Sequence, residues 1–197
     1  MRPADLEDAR LDLIDALQMM GDGTPATDFR RVELLRLLAS TYLRLGNSLS
    51  AEELLEEALD IGEAAEAMTG TFAGDARMTG DASRREIHFL FGVCMQKTGR
   101  VEEAALKFQK VLLEDEGHWR ARFHLATARI TDGRYEEAEE LLERVLAESP
   151  PDSSPHATTA TLLEKIKERR DAEAGRLDLV EHDDEQPNKV RQTLKRK

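Results

Sequence analysis

The sequence predicts an all-α fold: an α-solenoid of about three helical hairpins, with an N-terminal helix ahead of them and a C-terminal capping helix behind. Three observations predict it. The composition, 40% hydrophobic, 35% charged and only 5% aromatic, is that of long amphipathic helices. Apolar residues recur three or four apart, the period of a helix with one buried stripe. The stretch TGRVEEA, residues 98–104, returns as DGRYEEA, residues 132–138, its glycine 34 residues further on, so one structural unit is used again.

Residues 4–20 place Leu6, Ala9, Leu13, Leu17 and Met20 on one stripe among acids, an amphipathic lead helix that with its linker spans 1–24. It stops at GDGTPAT, where Thr24 caps and Pro25 starts the next helix, which ends at Gly46. Ser50 and Glu53 have capping-box spacing and open a helix buried through Leu54, Leu55, Ala58 and Leu59. Gly70, Gly74 and Gly80 then mark a flexible insertion over about 68–82. Ser83 and Glu86 repeat the capping-box spacing and open a helix that Gly99 releases.

In each twin stretch a glycine takes the left-handed conformation denied to most residues, the chain reverses, and a helix starting near Val101 or Tyr135 runs back along the first. Aligned on those glycines, Gly92 matches Ala126, Ala104 matches Ala138, Phe108 matches Leu142 and Val111 matches Val145. Small residues meet small ones so that helices approach closely, and large ones fill the space beside them. The repeat array occupies 25–152. Ser154 and Pro155 start a capping helix over 153–172, with Leu162, Leu163 and Ile166 inward, and a charged tail with disordered composition fills 173–197.

A 34-residue helix-turn-helix period with a small residue at place 8, glycine near 15, alanine at 20, a large apolar residue at 24 and proline at 32 resembles the tetratricopeptide repeat. Residues 119–152 carry Ala126, Gly133, Tyr135, Ala138, Leu142 and Pro150 at those places; residues 85–118 carry Gly92, Gly99, Ala104 and Phe108, with Glu116 in place of proline. A first unit from Val32 supplies Leu35, Ala39, Tyr42, Gly46, Ala51, Leu55 and Ala58. Arg122 and His88 stand where an aromatic residue or leucine is usual.

The resemblance implies that the first helix of each hairpin lines a concave groove for a peptide or helix of a partner protein. Residues at the groove places include Arg36 and Leu37 in the first unit, Phe89, Leu90, Val93 and Lys97 in the second, and Arg120, Phe123 and Ile130 in the third. The expectation is a non-catalytic adapter with Phe89, Leu90, Val93, Phe123 and Ile130 as apolar anchors and Arg36, Lys97 and Arg120 as polar guides. A structural subunit of a larger assembly is the alternative. The family's chaperone-tail clamp uses amides where this chain has Ser40 and Leu90, and a base where it has His124, so a carboxylate clamp fits poorly. In a further alternative the lead helix folds over the apolar strip itself.

Other classes find little support. Lys plus Arg is 28 against 40 for Asp plus Glu, a net charge of −12 that repels nucleic-acid phosphates and anionic lipid headgroups. No apolar run approaches the roughly 20 residues of a membrane span. The five histidines lack metal-ligand spacing, the lone Cys94 has no thiol partner, and no nucleophile turn or phosphate-binding loop occurs, so neither catalysis nor a metal or cofactor is expected. One cysteine and no secretory signal suggest the cytoplasm, with the nucleus as the alternative through the basic end KVRQTLKRK.

Overall fold

A computed structural model describes residues 2–20, 29–69, 80–150 and 154–184. They form eight α-helices: α1 (Pro3–Met20), α2 (Phe29–Leu45), α3 (Ser48–Thr69), α4 (Gly80–Lys97), α5 (Val101–Glu114), α6 (Trp119–Thr131), α7 (Tyr135–Glu148) and α8 (Ser154–Asp184). Helices α2–α3, α4–α5 and α6–α7 pair as three hairpins, and each hairpin packs on the next. The all-α solenoid expected from the sequence is the architecture observed.

The repeated glycine sets the hairpin geometry. Gly46, Gly99 and Gly133 have φ of 86°, 83° and 74°, a region costly for any residue with a β-carbon. Around Gly99 the amide of Arg100 donates to the Met95 carbonyl at 2.8 Å and that of Gly99 to Gln96 at 3.3 Å; Gly133 and Arg134 bond to Ile130 and Arg129 in the same way. This double closure satisfies carbonyls that the helix end leaves open. The arginine after Gly99 and after Gly133 then bonds the glutamate three residues on, Arg100 to Glu103 at 3.0 Å and Arg134 to Glu137 at 2.7 Å. The twin G-R-x-E-E-A stretches are therefore one turn made twice.

Packing inside the hairpins follows the aligned pairs. Gly92, Ala104, Phe108, Val111, Ala126, Ala138, Leu142 and Val145 are all buried. A β-carbon on Gly92 would fall 2.6 Å from Cε1 of Phe108, so the ring fills the space that glycine leaves open. One apolar cluster extends from α1 through α6. A second joins α6, α7 and α8 through Ala126, Leu142, Leu163 and Ile166.

Several element boundaries differ from expectation. The cap of α3 is Asn47, whose Oδ1 accepts the amide of Ser50 at 3.2 Å; Ser50 itself lies in the first turn. Helix α4 begins at Gly80, so Ser83 is a buried residue of its first turn rather than its cap. α3 reaches Thr69, which narrows the insertion from both sides; residues 70–79, like Thr24 and Pro25, lie outside the described residues. α8 continues past the expected end at 172 to Asp184, with no proline to stop it. The lead helix packs along α2 and does not cover the α4 and α6 face.

Candidate functional site

The inner helices α2, α4 and α6 stand side by side, and their facing side chains form a connected polar layer over an aromatic floor. On α2, Arg36 is fixed by its own-helix partner Glu33. On α4, Glu86 faces Arg120 of α6 at 3.6 Å and His118 at 3.9 Å. Burial works to raise the Glu86 carboxyl, but His118 with the fields of Arg120 and Arg36 outweighs it, and the group titrates below its ordinary range. His118 caps α6, its Nδ1 accepting the amide of Ala121 at 3.1 Å, which leaves its Nε2 side toward Glu86.

A second set of bonds ties the other ends of α4 and α6. Gln96 Nε2 donates to Thr127 Oγ1 at 2.7 Å, so its Oε1 is free to accept from His124 Nδ1 at 2.8 Å. Thr127 in turn donates to the His124 carbonyl at 2.8 Å. The His124 ring stacks on Phe108 with centroids 5.3 Å apart. Burial, then the fields of Arg120 and Lys97, push the His124 imidazole down to about 4, so it is neutral at physiological pH.

The predicted site residues divide by depth. Phe89 and Leu90 were expected as open anchors, but their exposures are 1% and 5%. Phe89 is covered because the Arg120 guanidinium lies 4.5 Å above its ring and His118 and His124 flank it at 5.2 and 5.5 Å. They are floor, not contact surface. Leu37 is 39% exposed, while Val93 and Phe123 are half-buried. Lys97 is exposed, Arg120 half-exposed over Phe89, and Arg36 mostly buried against Glu33. Ile130 turns toward α8 and lines a cavity of about 230 Å³ with Tyr135, Leu162 and Ile166.

Sequence reasoning missed one structural device. Arg122, at the place where an apolar residue is usual, is buried and bonds the carboxylate of Glu148 and the carbonyl of Glu116. One period earlier His88 is buried at the same place, its Nε2 2.9 Å from Lys110 Nζ, and burial with Lys110 pushes it down to about 4. Two polar residues exactly one period apart at an apolar place were the available signal.

Among the described residues no group of three or more His, Cys, Asp or Glu could hold a metal ion. Burial and the field of Glu52 push the Cys94 thiol up to about 12, which keeps it a packed thiol rather than a nucleophile. No described helix is long and apolar enough to cross a membrane.

Comparison with known proteins agrees with this architecture. Family models described as tetratricopeptide repeat match residues 95–166 and 32–63. Among solved structures, the chain is similar to the TPR-like repeats of a putative kinesin light chain from Podosopora anserina, with 19% identity, 91% of this chain and 85% of that one covered, and a TM-score of 0.62. It is similar to the type III secretion translocator chaperone SycD of Yersinia enterocolitica at 20% identity, with 71% and 86% covered and a TM-score of 0.53. The Arabidopsis OM64 TPR domain matches at 14% identity, with 70% and 97% covered and a TM-score of 0.53. At these identities the structures show the fold alone, and comparison with curated proteins gives no match. Three hairpins in register, their shared turn chemistry and both family matches establish that the chain belongs to the tetratricopeptide repeat family, a repeat scaffold for protein–protein interaction.

Proposed function

We propose that the protein is a non-catalytic adapter that holds an apolar or amphipathic segment of a partner, preferably a helix, in the trough along α2, α4 and α6. The observation that carries this reading is that Val93 of α4 and Phe123 of α6 stay partly accessible beside a floor fixed by Phe89 and its neighbours. A trough already held by the Gln96, His124 and Thr127 bonds leaves most of the ordering cost of binding to the ligand. Lys97 is the cation best placed to guide the segment. Arg36 and Arg120 already face Glu33 and Glu86, so a chain-terminal carboxylate would have to displace those partners. This argues against a chaperone-tail clamp.

The test is a Val93→Asp plus Phe123→Asp variant, first shown by circular dichroism to keep its helices and then used to capture partners from native extract. Loss of a partner held by the unaltered chain supports the trough as the site; retention of that partner by the folded variant removes it. A second reading, a subunit of a larger assembly, is favoured by Leu106 and Leu113 on the outer helix α5, 66% and 88% exposed. An assembly would bury them.

A further inference from the structure

Where the third hairpin meets α8, a small cavity of defined chemistry adjoins the trough. Ile130, a groove residue of α6, Tyr135 at the start of α7, and Leu162 and Ile166 of α8 wall about 230 Å³, and Lys165 and Arg169 complete the lining. That volume is below the roughly 300–1,000 Å³ of small-molecule pockets and suits a single large side chain. Lys167 stands 34 residues after Gly133, so α8 has no turn glycine there and runs straight on past Tyr135.

The cations of α8 divide by partner. Lys167 and Arg170 face Glu139 of α7 at 4.0 and 2.7 Å. Arg169 instead donates to the Tyr135 hydroxyl at 2.7 Å, and among the described residues neither it nor Lys165 forms an ion pair with a carboxylate. Glu164 and Glu168 neighbour Lys165 along the helix but do not line the cavity. Lys165 also repeats a trough position: Lys97, Thr131 and Lys165 follow one another at 34 residues, and all three are exposed. The lining thus carries two positive charges and no negative one, and screening within about 8 Å at physiological salt lets them outweigh the chain's more distant acids.

We propose that this cavity holds one leucine- or phenylalanine-sized side chain of the partner segment, with an acidic residue of the same segment over Lys165. The inference rests on the adapter reading and adds to it the end at which the segment is anchored and the charge it carries. The apolar side chain leaves water for the walls formed by Ile130, Leu162 and Ile166, and the carboxylate beside it meets the Lys165 amine.

The test uses the full chain carrying 3-fluorotyrosine, whose two tyrosines give one signal inside the cavity, Tyr135, and one outside it, Tyr42. The probe is a peptide of about twelve residues with one central phenylalanine flanked by glutamates. A saturable shift of the Tyr135 signal is expected, with Tyr42 unmoved. Replacing the peptide's phenylalanine by alanine should weaken binding at least about tenfold, as the loss of one buried aromatic side chain requires. Lys165→Glu should weaken binding about fivefold, and Lys165→Arg should retain it. An unmoved Tyr135 signal, equal binding of a lysine-flanked peptide, or indifference to Lys165→Glu would overturn the proposal. So would a Tyr135 signal that moves on dilution without peptide, since a second copy would then be the occupant. Binding lost in the Val93→Asp plus Phe123→Asp chain yet indifferent to Lys165→Glu would keep the trough and remove the cavity. Binding lost in Lys165→Glu yet unaffected by the trough pair would keep the cavity and remove the trough.

Discussion

Replacing Gly92 with alanine sets two effects of opposite sign against each other. In an isolated helix the change is favourable by about 0.5–1 kcal/mol, because glycine loses more backbone freedom. In this fold the added methyl would lie 2.6 Å from Phe108 Cε1 and 2.9 Å from Cδ1 and Cζ. The ring has no room to retreat: Phe108 is fully buried, 6.0 Å from the Phe89 ring and 5.3 Å from that of His124. Overpacking costs about 1–3 kcal/mol, and a contact this short against a fully buried ring belongs to the upper part of that range, about 2–3 kcal/mol, so the net loss should be about 1–2.5 kcal/mol. That corresponds to a fall in Tm of roughly 2–10 °C for a chain of this size. Urea unfolding followed by circular dichroism measures it, together with Phe108→Leu and the double variant. The double variant should be more stable than the sum of the single losses by at least about 1 kcal/mol, because leucine vacates the space the methyl needs. A Gly92→Ala chain as stable as the original, or more so, would refute the close approach that the repeat register requires.

Other consequences follow from the same packing. Gly133→Ala forces a β-carbon into positive φ and should lower stability by about 1 kcal/mol, read as a lower urea midpoint with unchanged slope. Arg122→Leu should be close to neutral, because it removes the buried guanidinium and supplies the apolar residue usual at that place, while Glu148, whose side chain is 38% exposed, can be hydrated instead. Glu148→Ala, which strands Arg122, should cost about 2 kcal/mol in the same assay. His124 titrates at about 4 in the fold but near 6.5 when unfolded, so its stabilising effect is full above pH 6.5 and lost as pH falls toward 4. By pH 4 the loss approaches roughly 3 kcal/mol for this one group. A His124→Gln chain should show a shallower decline of the urea midpoint between pH 7 and 4.5.

The residues legible in the sequence were those whose role is local or strictly periodic. Gly99 and Gly133 announce the turn because positive φ is a property of one residue, and Gly92 with Ala104 announces close packing because both recur one period on as small residues. The cap at Asn47 was misread because Ser50 and Glu53 offered the same spacing three residues later, while the chain used the asparagine beside its turn. The depth of Phe89 and Leu90 was not legible. It depends on how far the Arg120 side chain, His118 and His124 reach across from the next hairpin, and a groove place alone says nothing of that. The Arg122 contact with Glu148 spans the hairpin and was visible only as an anomaly.

The adapter reading rests on which face of the stacked hairpins meets the partner. A photoreactive phenylalanine analogue placed at Lys97, in the trough, or at Leu113, on the outer helix, reports that face directly in native extract. Partner adducts from position 97 with none from position 113 are the predicted result. Adducts from 113 with none from 97 would contradict it and place the contact on the outer face.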